Sequence, residues 1–271
     1  MKILSVIVTY YPEEELLRKD FNAFVDCVDK VLMWENTPET EKLQYRFFYH
    51  EKIEYCGDGV NSISHALNYA WHYAQNNGYD YLLTMDQDSI WCDFSTFVKK
   101  VSTHSLYGNA IFCPHLNTEK RHNDDYSFLE YCITSGSFIP VSVLNKIGGY
   151  ANGFDIDGID LFLGLNAKER GINVICVNNS DFIQRFGNPN FVELFLWHVK
   201  INNYPANRLY GIMKSHIMVI RKFDVSSNLL FRIIKQYIIV LPLKILLFEK
   251  DKLRKFNSMI SGIKDGFATE I

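Results

Sequence analysis

No uninterrupted apolar run in this 271-residue chain approaches the ~20 residues that a membrane-spanning helix needs. The most apolar stretch, residues 229–248, is broken by Arg232, Lys235, Gln236, Pro242 and Lys244. The six cysteines include no pair at Cys-x-x-Cys spacing, so neither a zinc knuckle nor a redox pair of that kind is indicated. The opening MKILSVIVTYYPEEE turns acidic within a few residues of its short apolar run and carries no cleavage-site pattern. It reads as a first buried strand, not as a signal peptide, and a cytoplasmic protein with reduced thiols is the expectation. Internal repeats and low-complexity linkers are lacking too. No Gly-rich, Lys/Arg-bearing phosphate loop follows the first strand, where Thr9-Tyr10-Tyr11-Pro12-Glu13-Glu14 stands. That argues against a nucleotidyltransferase.

What is present is a folding composition: 48% hydrophobic, 15% aromatic and 22% charged residues, enough to bury a full core. The net charge of -3 conceals an asymmetry. Residues 1–207 hold 16 Lys+Arg against 26 Asp+Glu, and residues 208–271 hold 12 against 5. The acidic part excludes a general nucleic-acid binder. The basic part calls for a negatively charged partner, such as a membrane surface or a polyphosphate.

Strand and helix alternate over about the first 100 residues. Residues 3–9 form a continuous β-branched run, as in a strand covered on both faces. Helical spacing follows over 13–28, a second strand over 28–34, a helix over 62–75 and a strand over 79–85 that runs into Asp86-Gln87-Asp88. This predicts an α/β fold with a mostly parallel central sheet and helices on both faces. Residues 110–140 are strand-rich, 157–170 read as a helix closed by Gly171, and 174–177 as a short strand. After Pro205 the chain reads as helical, basic and amphipathic. Residues 229–248 are either an interfacial helix pair or helices packed on the main domain. The expected division is a main domain at 1–207, with a change of pattern at about 100, and a helical extension at 208–271.

Asp86-Gln87-Asp88 is the most informative tripeptide. Carboxylates at the carboxyl end of a buried strand lie where open α/β sheets bind ligands. At i, i+2 both can turn toward one hard divalent cation, which pairs a few carboxylates with substrate phosphates. The alternative is an acidic turn capping the next helix. Context favours the site: Thr9-Tyr10 and Glu35-Asn36 end two other strands, and a parallel sheet brings the three tips to one edge.

With these residues in place, the chain resembles family-2 glycosyltransferases of GT-A fold, and within them the rhamnosyltransferase-like branch, over about residues 3–215. Ser5-Val6-Ile7-Val8-Thr9-Tyr10 resembles the opening strand. Glu35-Asn36 stands where an Asp pair is usual. Asn61-Ser62-Ile63-Ser64-His65-Ala66-Leu67-Asn68 resembles a motif helix start, with Ser62 and Ser64 as departures. Asp86-Gln87-Asp88 is the DxD motif in the form typical of that branch. Thr134-Ser135-Gly136-Ser137 with Ile147-Gly148-Gly149-Tyr150 resembles the acceptor-side segment. In the next element Asp160 aligns with the catalytic base and Asp157 is the fallback, while Phe162 and Asn166 replace a Glu and an Arg. Gln184-Arg185-Phe186-Gly187 replaces His-x-x-Gly, whose His helps bind metal.

The resemblance implies an inverting, metal-dependent hexosyl transfer, with a donor half at about 1–100 and an acceptor half at about 101–207. The donor is a nucleoside-diphosphate sugar, dTDP-rhamnose first and a UDP-sugar second. The acceptor is a carbohydrate or lipid-linked oligosaccharide in polysaccharide biosynthesis. Mg²⁺ or Mn²⁺ would sit on Asp86 and Asp88, with Gln184 as a further oxygen ligand. Thr9, Tyr10, Glu35, Asn36, Asn61, His65, Asp86 and Gln87 would contact the donor, and Ser135, Gly136 and Gly149 the acceptor side. No nucleic acid partner is implied. Contact with the inner leaflet and a homodimer are both compatible with it. The changes at Phe162, Asn166 and Gln184 also suit a catalytically altered, membrane-peripheral homologue that binds nucleotide sugars.

Overall fold

The computed structural model describes residues 1–38, 49–119, 123–154, 157–185, 190–194 and 197–270. The chain forms two compact units: Met1–Asp155 with Ile159–Arg185, and Ile156–Gly158 with Phe186–Ile271. The change in charge balance at 207/208 falls inside the second.

The first unit is built on a nine-stranded sheet. Its first half is parallel. Strand β1 (Ile3–Thr9) lies between β2 (Lys30–Glu35) and β4 (Tyr81–Asp86), and β3 (Ile53–Cys56) lies outside β2. Both faces of β1 are covered, which is why it reads as a continuous apolar run. Helices α1 (Glu14–Asn22) and α2 (Ile63–Asn76) supply the crossovers. Helix α1 stops short of the predicted end: the chain tightens into a 3₁₀ turn at Val25–Cys27 that buries both Phe24 and Val25.

Beyond β4 the sheet becomes mixed. A two-residue strand β5 (Ile90–Trp91), helix α3 (Phe94–Thr103), strands β6 (Ala110–Leu116), β7 (Tyr126–Leu129) and β8 (Phe138–Pro140), and helices α4 (Val141–Ile147) and α5 (Ile159–Glu169) precede β9 (Asn173–Ile183). Strand β8 runs antiparallel to β4 and β6, and β9 runs parallel to β6. Strand β9 is longer than its apolar core at 174–177 predicts. Its polar stretch Asn178-Asn179-Ser180 bulges from the ladder between the partners of Pro114 and His115, and pairing resumes at Asp181. Asn178 donates to Asp124 O and Ser127 Oγ, so these amides belong to the sheet. Phe94, Phe97, Phe112, Phe138 and Phe182 anchor the core, with the Tyr81 ring stacked on Phe138 at 4.3 Å.

In the second unit a hairpin of β10 (Asn190–Leu194) and β11 (Trp197–Ile201) leads into helix α6 (Ala206–Lys222). A continuous helix follows, as α7 (Ser227–Ile233), a π-helical turn (Ile234–Val240) and α8 (Leu241–Phe248), before α9 (Lys252–Ala268). Helices α6 and α9 touch through small residues: a Cβ on Gly262 would lie 2.3 Å from Tyr210 O. Leu209, Met213, Leu241, Ile245 and Met259 form the core here. Lys255 Nζ is buried on Glu249 at 2.7 Å and on Asn203 at 2.8 Å. Among the described residues, no helix is long and apolar enough to cross a membrane.

Candidate active site

Register brings the predicted strand tips together. Thr9 pairs with Glu35, and Val8 with Asp86. Several residues expected to meet the donor stitch these tips to one another. Thr9 Oγ1 donates to Trp34 O (3.1 Å), Asn36 N–H donates to Thr9 O (2.8 Å), and Asn36 Oδ1 accepts from Trp34 Nε1 (2.9 Å). Gln87 reads the main chain of Tyr10 in both directions: its Oε1 accepts from Tyr10 N–H (2.6 Å) and its Nε2 donates to Tyr10 O (3.1 Å). The middle residue of the DxD motif therefore locks β4 to β1. Glu35 is buried beside Gly57, where a Cβ would fall 2.6 Å from Glu35 O. At the start of α2, Ser62 caps the helix by accepting from His65 N–H, and the His65 ring meets Asp58 at 2.6 Å. Asn61 is exposed just before the cap.

A closed ring of hydrogen bonds surrounds Asp86. Its N–H donates to Ser135 Oγ (2.9 Å), Ser135 Oγ donates to Ser89 Oγ (2.8 Å), and Ser89 Oγ donates to Gln184 Oε1 (2.5 Å). Gln184 Nε2 then donates to Asp86 Oδ2 (3.0 Å). Ser89, Ser135 and Gln184 are all buried. The Gln184 amide oxygen thus accepts from Ser89 and its nitrogen faces Asp86, so within this ring the side chain orients a carboxylate.

The electrostatics mark the same spot. Burial, with Asp88 and Asp160 adding, pushes the Asp86 carboxyl up to about 6 against the Gln184 bond that lowers it. Burial also raises Asp88, opposed by a backbone bond and the Arg185 charge. Asp20, on α1, is fully buried, and neither oxygen has a hydrogen-bond partner among the described residues. Burial and the charges of Asp86 and Asp88 hold it well above the usual carboxylate range. Asp160 lies in the first turn of α5, where its Oδ1 accepts from Leu161 N–H (2.8 Å). Among the described residues, no three His, Cys, Asp or Glu side chains are grouped as a preformed metal cage. The Asp86–Asp88 pair suits a divalent cation that draws its other ligands from phosphate and water, because added positive charge would relieve a carboxylate held near 6.

The acceptor-side segment is pinned to β4. Thr84 Oγ1 donates to Thr134 O (2.5 Å) and Gly136 N–H donates to Thr84 O (2.7 Å). Gly149, at φ 74°, lies under Trp71, whose ring a Cβ would approach to 2.3 Å. Asn68 clamps this turn through both atoms of its amide, on Tyr150 N–H and Tyr150 O. Asp157, in the second unit, is held by Arg208 through Nε and Nη2, each at 3.3 Å. Asn166 is buried and donates to Ile147 O (2.9 Å), and Phe162 packs on Phe154. Asp155, Ile156, Phe186 and Gly187 lie outside the described residues. Sequence reasoning missed Asp20 and Ser89; a carboxylate within an apolar helical stripe was the one available signal for Asp20.

No protein-family profile matches the chain, and no curated protein sequence matches it. Solved structures do. TarS 1-349 of S. aureus with UDP-GlcNAc aligns at TM-score 0.60 and 13% identity, over 98% of this chain and 80% of that one. The same protein with UDP aligns at 0.63 and 10%, over 98% and 81%. GalNAc-T7 with UDP, GalNAc and Mn²⁺ aligns at 0.58 and 10%, over 82% of this chain and 48% of that one. The fold is GT-A-like. In this GT-A-like frame the parallel strands carry Thr9, Glu35 and Asp86 to one edge, and the mixed half adds Ser135 and Gln184.

Proposed function

We propose that the chain is a divalent-cation-dependent, inverting glycosyltransferase that moves a sugar from a nucleoside diphosphate to a carbohydrate acceptor. The observation that carries this reading is the Asp86–Asp88 pair at the β4 tip, with Asp86 held by the Ser135–Ser89–Gln184 ring and sensing the charge of Asp160. The GT-A-like fold supports it, as do the nucleotide and the Mn²⁺ named with its structural neighbours.

Asp88 and Asp86 would hold Mg²⁺ or Mn²⁺, which supplies Lewis-acid neutralisation of a departing diphosphate. Arg185, already set against Asp88, adds positive charge on that side. Asp160 is the general base for the acceptor hydroxyl, within the same field of carboxylates as Asp86. Asp157 is the weaker candidate because Arg208 forks onto it. The donor is dTDP-rhamnose in this reading, with a UDP-sugar second. The acceptor is lipid-linked and met in the cytoplasm at the inner face of the membrane.

The test is calorimetric binding and slow donor hydrolysis with a panel of nucleotide sugars, with Mn²⁺, with Mg²⁺ and with chelator. Cation-dependent binding of one donor is expected. Absence of cation-dependent binding for every donor would overturn the proposal.

A further inference from the structure

The second unit presents a surface that its own core leaves uncovered. Residues 227–248 form one continuous helix. Leu229, Ile233, Leu241 and Ile245 are buried along one side of it. Phe231, Ile238, Ile239, Leu243, Leu246 and Leu247 are between 48% and 65% exposed. A π turn in mid-helix explains how both sets stay in line. Pro242 has no N–H to continue the α pattern, and Leu241 N–H donates to Gln236 O, five residues back. The wider turn needs more residues per revolution. It re-phases α8 so that its exposed leucines continue the outward stripe begun by Phe231. Pro242, one of the interruptions of the apolar stretch, therefore serves to align an apolar stripe.

The rim of the stripe is cationic. Arg232 and Lys235 lie on the helix itself, and exposed Lys250, Lys252 and Arg254 follow at its end beside Leu253. Within residues 227–254 the acids are Glu249 and Asp251, and Glu249 is buried against Lys255. Exposed leucines and isoleucines flanked by basic residues match an anionic bilayer, which receives apolar groups and offers negative charge at one depth. A second copy of the chain matches less well. A twofold contact sets each patch against itself, which brings the basic rim of one copy toward that of the other.

We propose that this face docks on an anionic lipid surface, with the α7–α8 helix in the plane of the membrane and its apolar stripe about 5–10 Å into the headgroup boundary. This deepens the membrane part of the reading above by naming the surface. Flotation and nucleotide-sugar binding are separate measurements, so either part can fail without the other.

The test is flotation of the full chain with vesicles of phosphatidylcholine alone, and of equal parts phosphatidylcholine and phosphatidylglycerol. The unchanged protein is expected to float with the anionic vesicles, less so at high salt, and not with the neutral ones. Ile239→Asp with Leu243→Asp should abolish flotation while leaving helix content and the thermal transition unchanged, because both sites are exposed. Lys235→Gln with Lys252→Gln should weaken partitioning by about fivefold for each charge removed. Flotation that survives the aspartates, equal flotation on both vesicle types, or none at all would each overturn the proposal. So would sedimentation showing a dimer that the aspartates dissolve in a protein that never floats.

Discussion

Asp86→Asn should make the cation-free protein more stable, and only above a defined pH. The carboxyl is pushed from its ordinary 3.8 up to about 6 by burial, with Asp88 and Asp160 adding. At 1.36 kcal/mol for each tenfold change, that is a cost of about 3 kcal/mol once both folded and unfolded states are ionised. The sign follows from proton binding. The folded value lies above the unfolded one, so between them the folded state holds more protons. Stability is full below about pH 4, falls as pH rises through about 6, and is level beyond. Asparagine keeps the shape of the site: Oδ1 still accepts from Gln184 Nε2, and the main-chain N–H still reaches Ser135. Urea unfolding in chelator should show the variant about 2–3 kcal/mol more stable at about pH 8 and equal to the unchanged protein at about pH 4. Added Mn²⁺ should restore the unchanged protein by about 2.7 kcal/mol at a hundredfold excess over its Kd, and restore the variant less. A gain of the same size at both pH values would refute the reasoning, because it would come from packing and not from charge.

Four further outcomes are expected. Asp88→Ala should remove cation-dependent donor binding in calorimetry, and retained binding would displace it from the cation site. Asp160→Asn should leave donor binding intact and slow transfer by about 10²–10⁴-fold; undiminished transfer would transfer the base role to another residue. Ser89→Ala leaves the Ser135 hydroxyl and Gln184 Oε1 without their ring partner, so urea unfolding should register a loss of about 1–3 kcal/mol. Gly149→Ala places a Cβ at φ 74° against the Trp71 ring, and should destabilise by about 2 kcal/mol or more; a neutral result would mean that the turn can move.

Legibility followed the range of the interactions. Strand β1, helix α2 and strand β4 were readable because each carries a local signal: a continuous apolar run in the two buried strands, with Asp86 at the end of one, and a single apolar stripe in the helix. The second half of β9 was not, because Asn178 and its neighbours are polar residues satisfied by partners from β7 and the turn before it. Asp86 and Asp88 were legible as a pair, but the ring that holds Asp86 was hidden. Ser89 and Gln184 are separated by 95 positions, and no local pattern announces a bond of that span. Asp20 was hidden for the opposite reason: a carboxylate on a helix ordinarily reads as solvated, whereas here it is fully buried.

The ring also accounts for glutamine at 184. Asp20, Asp86, Asp88 and Asp160 already crowd one region with carboxylates, and the first two are raised by burial, with their neighbours' charges adding. A further acid at 184 would add like charge where burial is already costly. An amide adds none, and its two ends differ: one accepts from Ser89 while the other donates to Asp86, so the ring closes in only one sense. Asp86 is thereby fixed before any cation arrives. For the proposed cation site this gives a carboxylate that need not be reoriented on binding, which is how a supporting shell contributes at a metal site. On this argument Gln184→Ala should weaken cation affinity in calorimetry, and Asp88→Ala should abolish it.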